Sequence, residues 1–545
     1  MSLPGFRGYF REDMLARAVY SEAAGITRAI PSAVAVPVDA EDVVVLVKWA
    51  AESGTKLIPR GSGSSMAGGA VGTGVIVDLS RINHLGRIDD RDRTVLAEPG
   101  VLWSTLDVAA RRKGLRLPVD PSSGSFCTLG GMVSTNAAGP HSLRYGPTRP
   151  WVNALDCVFS DGDRAIITRG EPPPKRIDAI NRFMSDVHGD IVASDKRRPI
   201  MHLGVRKESS GYAIHDYATK ADLVDLLVGS EGTLAIILEI QFKLAPVPVA
   251  TSSLLGIFTS LEEAATAATK ALEAGASACE LLDKTFLAYA ASGQPADAKF
   301  SERMEGAAAI LLAEVEGDSA DAAAAGAQHL AKAFREAGAQ DVDVALTSDA
   351  ERELWDLRHA ASPILAGLEH STSMQFIEDG AVPPSKLADY VKGVRQALAE
   401  REVSGVIFGH AGDAHVHVNP LVDVRQEDWR ARVSALLDDV VGLTARLGGT
   451  LTGEHGDGRI RTPLLRRVWH KEAIRTFELV KKAFDPQNIF NPGVKVPLKD
   501  QKAITDIKYD PSLQPLPEKA RAALDDVVKA RAYDRFRLSL IGGSS

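Results

Sequence analysis

The chain has 545 residues, of which 45% are hydrophobic and 25% are charged, and its formal net charge is −8 at pH 7. This length predicts two or three domains, each able to bury a core, and the acidic balance argues against a nucleic-acid partner. Residues 1–22 lack the apolar core of a secretory signal, and no run reaches the ~20 apolar residues of a membrane helix. Three scattered cysteines argue against a disulfide framework or an intrinsic iron–sulfur cluster. We therefore expect a cytoplasmic protein.

Short apolar runs alternate with helical patterns along the first half of the chain. Asp42 could cap the first of these helices, and an Asp-Gly turn between two apolar runs predicts a hairpin around residue 162. The polar, proline-bearing stretch 170–220 predicts an irregular insertion. The predicted elements are helices at 43–52 and 103–113 and strands at 56–59, 75–79, 155–159, 164–168 and 234–244.

The second half combines alanine-rich helices with further strands, which favours a separate α+β domain. Pro246 and Pro248 mark its start. Helices are predicted at 261–274 and 471–483, and a strand at 309–315. Residues 500–545 form a charged tail in which 517–535 has a helical pattern. This tail could be a docking element or a solvated helix.

Three glycine-rich segments of the first half could bring the backbone close to a ligand. They span residues 59–69, 120–139 and 229–236. Successive backbone N–H groups in such loops can form a nest for a phosphate group. One glycine-rich loop alone is about as often an ordinary turn as a ligand-binding loop, and the first segment fits neither the P-loop pattern nor the dinucleotide fingerprint in its usual context. Their occurrence together is what indicates a cofactor.

Histidines and an acidic residue cluster in two short segments of the second half. His415 and His417 alternate with small or apolar residues, so on a strand their side chains would point to the same side. His410 precedes them in a loop, and the pair Glu454-His455 follows further along. A single histidine on a strand is usually structural. Imidazoles that converge with a carboxylate instead predict a divalent metal site, with zinc the first candidate.

The glycine-rich segments resemble the FAD-binding domain of the vanillyl-alcohol oxidase/p-cresol methylhydroxylase superfamily over residues 30–247. The runs Pro-Arg-Gly-Ser-Gly, Leu-Gly-Gly…Asn-Ala-Ala-Gly and Ser-Glu-Gly-Thr-Leu-Ala occur in order. The resemblance implies non-covalent FAD, because neither the serines of the first loop nor Cys127 lie in an obvious linkage motif. The residues that it implies for FAD are Pro59, Arg60, Gly61, Ser62, Gly63, Ser64, Ser65, Pro121, Gly130, Gly131, Ser134, Thr135, Gly139, Gly232, Ile236 and Asn491.

The second half is similar to the C-terminal FAD-linked oxidase domain of the D-2-hydroxyacid dehydrogenases. That group includes D-lactate dehydrogenases, the glycolate oxidase flavin subunit and D-2-hydroxyglutarate dehydrogenase. Its motifs Gly-His-x-Gly-Asp-x-Asn-x-His, Gly-Glu-His-Gly and Asn-Pro-Gly correspond to residues 409–417, 453–456 and 491–493. His415 departs from the first motif, since it stands where many relatives have Asn.

Together the two resemblances imply an α+β fold. A two-subdomain FAD-binding domain of the p-cresol methylhydroxylase type would be followed by an α+β FAD-linked oxidase C-terminal (cap) domain. The expected parts are an N-terminal extension at 1–30, the FAD-binding domain at 31–247, a substrate domain with the metal site at 248–497 and a tail at 498–545.

The resemblance also implies roles for the histidine segments. His410, His417 and Glu454 would hold a divalent metal ion, with Zn²⁺ as first candidate, and His455 would be the catalytic base. The metal would lower the pKa of the substrate hydroxyl, and the neutral imidazole would accept its proton. His415 could add a ligand or a hydrogen-bond donor.

Three further residues are candidates for binding the substrate. Arg358 lies in a helical pattern and matches the arginine that such families use for a carboxylate. Ser362 could assist it, and Lys386 could meet a second carboxylate. A helix arginine without this resemblance would most often be a solvated surface charge.

The expected function is FAD-dependent oxidation of a D-2-hydroxy acid to the 2-oxo acid, with D-lactate or D-2-hydroxyglutarate as the first substrates. The alternatives are a glycolate oxidase-type flavin subunit of a complex and a non-catalytic FAD-binding subunit. Without cysteine clusters, the electrons would pass to a quinone, a cytochrome, an electron-transfer flavoprotein or a separate iron–sulfur subunit. We expect at most peripheral contact with the inner face of the membrane, and a homo-oligomer is left open.

Overall fold

The computed structural model describes residues 3–292, 304, 306–345, 347–366 and 371–542, with the backbone alone for 290–292 and 359–366. The strands are β1 Tyr9–Arg11, β2 Ala33–Val36, β3 Leu57–Arg60, β4 Val75–Asp78, β5 Thr94–Ala97, β6 Leu115–Arg116, β7 Val152–Val158, β8 Arg164–Thr168, β9 Ile236–Lys243, β10 Ala245–Pro246, β11 Ala250–Phe258, β12 Ala278–Asp283, β13 Ala309–Gly317, β14 Asp341–Val344, β15 Thr372–Ser373, β16 Gly380–Ala381, β17 Ser404–Gly409 and β18 His415–Val422.

The helices lie between and after these strands. They are Met14–Val19, Ala40–Ser53, Trp103–Arg111, Leu129–Thr135, Ser142–Tyr145, Asp178–Asp186, His188–Arg197, Ile214–Lys220, Leu223–Leu227, Leu261–Ala271, Lys284–Ser292, Ala320–Glu336, Ser348–Ala366, Leu387–Glu400, Trp429–Arg446, Gly458–Arg461, Leu465–Val468, Lys471–Phe484 and Glu518–Ala530. None of those in the described ranges is long and apolar enough to cross a membrane.

The first half of the chain forms two four-stranded sheets. In the order β1-β2-β4-β3, β4 runs parallel to both β2 and β3, and all of its residues are buried. Burial on both faces explains why its sequence begins as an unbroken apolar run. The second sheet, β5-β9-β7-β8, is antiparallel and contains the predicted hairpin between β7 and β8. The glycine-rich loop at 61–65 leaves the end of β3, where it faces the second half.

One predicted helix cap is wrong. The helix begins at Ala40, and the side chain of Asp39 accepts a hydrogen bond from the backbone N–H of Asp42. The Asp42 carboxylate instead accepts from the backbone N–H groups of Val38 and Arg7. Asp42 is fully buried, so its side chain fastens the preceding segment to the helix.

The predicted irregular insertion at 170–220 is also wrong. This stretch contains the helices Asp178–Asp186, His188–Arg197 and Ile214–Lys220. The first of them buries Ala179 and Phe183, which are four residues apart, while its other face is polar. The high polarity of these short helices hid their narrow apolar stripe.

The second half is built on one eight-stranded sheet with helices, which agrees with the predicted α+β composition. Its strand order is β14-β11-β13-β12-β17-β18-β15, with β16 also paired to β18. Alanine-rich helices pack on this sheet, because small side chains allow a close approach. A tight turn at 410–414 joins β17 to β18. It brings His410 beside His415 and His417 on β18.

The C-terminal tail packs on the first half of the molecule. Its helix Glu518–Ala530 confirms the predicted helical pattern and buries Ala520 and Leu524. These side chains join a core cluster with Val19 and Ile76. One face of the tail helix is therefore held against the protein rather than solvated.

Candidate active site

A cavity of ≈ 600 Å³ lies where the loops of the first half face the histidine segments of the second. Its walls include the loop after β3 and the N-terminal turns of the helix Leu129–Thr135. The opposite wall includes His417, Glu454 and His455. Residues predicted for the cofactor and residues predicted for the metal and the base therefore line one cavity. The predicted ligand His410 is not a lining residue and contacts Glu454 from behind the wall.

Most of the residues predicted to bind the cofactor line this cavity. They are Pro59, Arg60, Gly61, Ser62, Gly63, Ser64, Ser65, Pro121, Gly130, Gly131, Ser134, Thr135, Gly232 and Ile236.

Two predicted cofactor residues, Gly139 and Asn491, are not among the lining residues. The Gly139 carbonyl accepts a hydrogen bond from Lys207 Nζ at 3.2 Å. The buried Asn491 side chain donates to the backbone carbonyls of Gly69 and Glu231. Both residues hold the backbone segments that form the cavity.

The imidazoles of His410 and His417 aim their Nε2 atoms at one carboxylate oxygen. His417 Nδ1 donates to the backbone carbonyl of Glu378 at 2.8 Å, which leaves the lone pair on Nε2. His410 Nδ1 lies 2.6 Å from a carboxylate oxygen of Glu280. The Nε2 atoms of His410 and His417 lie 3.1 and 3.4 Å from Glu454 Oε1. Such outer hydrogen bonds from Nδ1 are typical of histidines that bind a metal through Nε2.

The charges at this cluster fit a cation. Burial lowers the pKa of His417 to about 4, so its ring is neutral at neutral pH. Burial opposes ionisation of Glu454, but Lys207 and His410 hold the pKa of that carboxyl well below its usual range. A neutral imidazole nitrogen and a carboxylate oxygen then face each other with electron pairs in a buried site. A divalent ion between them would relieve this repulsion, and two imidazoles with one carboxylate suit it chemically.

Glu280, which no sequence pattern revealed, links this cluster to the predicted substrate arginine. It is fully buried on β12, and its Oε2 accepts from Arg358 Nε at 2.8 Å while Oε1 meets His410. Burial opposes its ionisation, but His410 and Arg358 hold its pKa well below the usual range. The sequence did contain one signal: Glu280 is a carboxylate flanked by Cys279 and Leu281 in a mostly apolar strand. A charge buried in this way needs partners, so such a residue is a candidate for a site.

The three predicted substrate-binding residues differ in where the structure places them. Arg358 is buried, lines the cavity and lies with its guanidinium carbon 5.1 Å from the centre of the Phe408 ring. The side chain of Ser362 lies outside the described residues. Lys386 is not brought to the site: its half-exposed side chain pairs with Asp389 at 3.7 Å, at the start of a surface helix.

His455 lies at the cavity wall with 30% of its side chain exposed. Its ring stacks on that of His417, with centroids 5.2 Å apart. Burial opposes protonation of the ring, but the charges of Asp379, Glu378 and Glu454 outweigh it and raise the pKa of His455 to about 9. A cation bound at Glu454 would cancel part of this field and bring the pKa toward the range of a general base.

Glu378 and Asp379 are further residues that sequence patterns missed. Asp379 accepts from the backbone N–H groups of Glu454 at 3.2 Å and His455 at 2.9 Å. Arg461 forms ion pairs with both acids. An acidic pair before a glycine and a short strand was visible in the sequence, but nothing local showed that it would meet residues so distant in the chain.

His415 is fully buried beside the same cluster. Its Nε2 lies 2.8 Å from Asp379 Oδ1, and its ring centroid lies 4.8 Å from that of His417. Its Nδ1 has no hydrogen-bond partner among the described residues. The bond that the structure shows is the one to Asp379, through which His415 supports the loop of Glu454 and His455.

Comparisons with known proteins agree with this geometry. Residues 31–167 match the family model of the FAD binding domain, and residues 247–494 match that of the C-terminal domain of FAD linked oxidases. The chain is 31% identical over 493 residues to glycolate oxidase subunit GlcD of Bacillus subtilis, covering 89% of this chain and 93% of that protein. The chain belongs to the FAD-linked oxidases. A D-lactate dehydrogenase of Anaerostipes hadrus is 29% identical, over 87% of this chain and 91% of that protein.

The fold of this FAD-linked oxidase is also that of a solved relative. A crystal structure of p-cresol methylhydroxylase with substrate bound aligns with a TM-score of 0.64 and 15% identity, covering 90% of this chain and 94% of that one. The predicted fold, a p-cresol methylhydroxylase-type domain followed by an oxidase C-terminal domain, is therefore confirmed.

The cavity of this FAD-linked oxidase fits FAD. A Cβ at Gly61 would collide with Thr128 Oγ1, and one at Gly63, where φ is +76°, would collide with the Arg60 guanidinium. Glycine at these two positions allows the loop to pack closely on Thr128 and Arg60 while its backbone lines the cavity. Ser65 Oγ is buried at the cavity wall with no hydrogen-bond partner among the described residues. The protein is an FAD-dependent oxidoreductase.

Proposed function

We propose that the protein oxidises a small D-2-hydroxy acid to the 2-oxo acid. The observation that carries this proposal is the convergence of Arg358, His417, Glu454 and His455 at one cavity, with His410 directly behind Glu454. A 2-hydroxy acid presents a carboxylate, a hydroxyl proton and a hydrogen on C2. The first two match the guanidinium and the histidine-rich wall, and the third requires an acceptor on the opposite wall.

FAD would be held without a covalent bond, its diphosphate bound by the backbone N–H groups of residues 61–65. When bound, it supplies the acceptor for the C2 hydride. Non-covalent binding is supported by Cys127, the cysteine at the cavity wall: burial raises the pKa of its thiol to about 12, so a thiolate is scarce.

Zn²⁺ is the ion we propose for the histidine cluster. Two imidazole nitrogens and one carboxylate, from His410, His417 and Glu454, form a three-ligand set of the kind that catalytic zinc sites use with one open position. An ion held there would supply Lewis-acid polarisation of the substrate hydroxyl.

Substrate binding and proton transfer are assigned to different side chains, Arg358 and His455. Arg358 would bind the substrate carboxylate, with its guanidinium held by the bond to Glu280 and by the Phe408 ring. His455 would accept the hydroxyl proton. Its Nδ1 lies 3.5 Å from Glu378 Oε1 and 3.6 Å from Asp379 Oδ1, so these acids would stabilise the resulting imidazolium.

A substrate with one carboxylate is favoured over D-2-hydroxyglutarate. Among the described residues that line the cavity, Arg358 is the cation next to Phe408, whose ring also contacts His417. Lys386 does not line the cavity and pairs with Asp389. A second carboxylate at this end would lack a cation and would be costly to desolvate. D-lactate and glycolate meet this requirement.

The electrons would leave to a separate, non-nicotinamide acceptor. The three cysteines, Cys127, Cys157 and Cys279, are buried and scattered, so no cluster of their own is formed. A quinone, a cytochrome, an electron-transfer flavoprotein or an iron–sulfur subunit would serve. The alternative of a glycolate oxidase-type flavin subunit keeps the same chemistry, and the complete base and ligand set argues against a non-catalytic subunit.

The proposal is tested by turnover with an artificial dye acceptor. D-lactate, glycolate, D-2-hydroxyglutarate and L-lactate are supplied separately to the metal-loaded protein, and the 2-oxo acid is identified by mass. We expect pyruvate or glyoxylate to form, with L-lactate and D-2-hydroxyglutarate slower by kcat/KM. Absence of any 2-oxo acid from all four substrates would contradict the proposal.

A further inference from the structure

We propose that residues 505–542 of the C-terminal tail are part of the FAD site. In this view Arg537 supplies positive charge behind the loop 61–65, and Tyr533 closes the cavity beside Phe126. The inference rests on the proposed placement of the FAD diphosphate at that loop. It gives the tail a role in retaining the cofactor that is separate from the chemistry at His455.

Two buried arginines lie behind the loop. Arg60, at its start, is 2% exposed, and Arg537, from the tail, is 3% exposed. The Arg60 guanidinium donates to the backbone carbonyls of Tyr20, Glu22 and Ala70. Burial lowers the pKa of Arg60 to about 10, and the positive charge of Arg537 adds to this effect. The Arg60 guanidinium lies beside Gly63, and Arg537 Nη2 contacts the Ser62 carbonyl, so both cations lie against the same loop.

The buried negative charge near these arginines does not balance them. Asp78 is a buried carboxylate that acts on both, and its oxygens already accept from the Tyr20 hydroxyl and the Ser80 N–H. Asp534 also acts on Arg537, but it is exposed to solvent. Arg537 Nε is buried without a hydrogen-bond partner among the described residues. Two buried cations and one buried carboxylate leave a surplus of positive charge in the interior beside a glycine-rich loop. An anion bound at that loop, such as a diphosphate, would compensate it.

The tail also touches the loop directly. Arg537 Nη2 donates to the Ser62 carbonyl at 3.4 Å. Lys508 Nζ donates to the carbonyls of Ala23 and Ala24 at 3.1 Å. The backbone N–H of Ala24 in turn donates to the Gly63 carbonyl at 2.9 Å. These bonds turn loop carbonyls outward and leave the loop N–H groups for a ligand.

A second set of tail residues forms part of the cavity wall. Lys508, Tyr509, Val528, Arg531 and Tyr533 all line the cavity. The Tyr533 ring lies 5.3 Å from the Phe126 ring, and the Arg531 guanidinium carbon lies 5.4 Å from the same ring. Without the tail this side of the cavity would open to solvent, so a bound cofactor would be released faster.

The test compares three variants, Arg537→Gln, Arg537→Lys and Arg535→Gln, as purified holoproteins. Arg535 is an exposed arginine two residues away and serves as the matched control. FAD release on dilution is followed by the rise in flavin fluorescence, and Kd is obtained by back-titration at two salt concentrations. We expect Kd to rise at least about 10-fold in Arg537→Gln, with partial recovery in Arg537→Lys and no change in Arg535→Gln. The wild-type Kd should increase with salt concentration, because salt screens the attraction between the diphosphate and the arginines. This increase should be smaller in Arg537→Gln.

A separate variant covers the case in which Arg537→Gln does not fold. Tyr533→Ala keeps both arginines, and we expect it to release FAD several-fold faster than the wild type. Wild-type values of Kd and release rate in the folded variants would overturn the inference, as would a Kd increase with unchanged salt dependence. Failure of the proposed oxidation has a different signature, because a wild-type protein that binds FAD but is not reduced by any hydroxy acid would leave these binding results intact.

Discussion

His417 shows how the protein prepares a ligand atom by controlling a proton. The backbone carbonyl of Glu378 can only accept, so His417 carries its proton on Nδ1 and donates a hydrogen bond to that carbonyl. The Nε2 lone pair of His417 therefore faces Glu454. Lys207 meanwhile occupies the other oxygen of Glu454 at 3.1 Å. The atoms left over are the ones that a cation would need, so their orientation is set before any ion binds.

Replacing His417 with alanine should therefore remove the metal. We expect affinity to fall by at least about 100-fold, since even the outer partners of metal ligands are worth 10–100-fold. The variant is dialysed against a fixed concentration of free Zn²⁺, and its bound metal is then measured by plasma emission spectrometry. His329→Ala is the control, because His329 is exposed on a distant helix. Equal metal in the His417→Ala and control variants would contradict the ligand assignment.

His455 is expected to act on the substrate and not on the cofactor. A His455→Gln variant should keep FAD and metal, while kcat/KM falls by about 10²- to 10⁴-fold because proton transfer is lost. The flavin spectrum and metal content of the variant provide the control for folding. Turnover close to the wild-type value would show that another group removes the proton.

Arg358 should be sensitive even to a change that keeps its charge. Arg358→Lys removes the planar donor that bonds Glu280, so we expect kcat/KM to fall by about 10- to 100-fold, as one charge-assisted hydrogen bond is worth roughly 1.5–3 kcal/mol. The same substitution at Arg352, which is exposed on the same helix, is the matched control. Equal kinetics of the two variants with D-lactate would refute the role of Arg358.

At the scale of elements, the sequence patterns that succeeded were local ones. Alternation predicted the strand that carries His415 and His417, and motif order predicted loops that line the cavity. The site around them depends on pairings that no local pattern encodes. Glu280 comes from β12, and Asp379 from a short strand edge, and each meets residues far away in sequence. The prediction of an irregular insertion at 170–220 failed for another reason. The helices in this stretch are short and polar, and their apolar stripes are only a few residues wide.

Strand β12 contains a buried acid, Asp283, whose ionisation should make the stability of the fold depend on pH. Asp283 ends β12, and its side chain accepts from the backbone N–H of Phe286 at the start of the next helix. Burial raises its pKa from the usual range to about 7. Because the folded-state pKa exceeds the unfolded value, the folded protein binds more protons, and stability falls as the pH rises from about 4 to 7.

Asp283→Asn keeps the capping oxygen and cannot ionise. We expect it to raise Tm relative to the wild type at pH 8, with little difference at pH 4.5, and the upper bound on the gain is on the order of 4 kcal/mol. Thermal unfolding of both proteins across this pH range, with FAD in excess, gives the comparison. A Tm difference that does not change with pH would show that Asp283 titrates normally.

At the scale of the whole molecule, the cavity exists only because distant parts of the chain meet. Glu231, from the first half, lines the cavity and accepts from the backbone N–H groups of Asp457 and Gly458 in the second. Lys495 pairs with Glu231 and Asp457 at 3.0 Å, which ties the same junction together. The segment that carries His455 is thus fixed to the wall that would hold the flavin. A substrate that gives its hydroxyl proton to His455 would then lie against the flavin that accepts its C2 hydride.

Anaerobic single-turnover reduction tests the central claim most directly. The metal-loaded protein with bound FAD is mixed with D-lactate or glycolate in a stopped-flow instrument, and the flavin absorbance is followed without any acceptor. We predict full loss of the oxidised flavin band, slower loss when C2 of the substrate carries deuterium, and much slower loss with L-lactate. If no D-2-hydroxy acid reduces the flavin while FAD and metal are bound, the account of this site is contradicted.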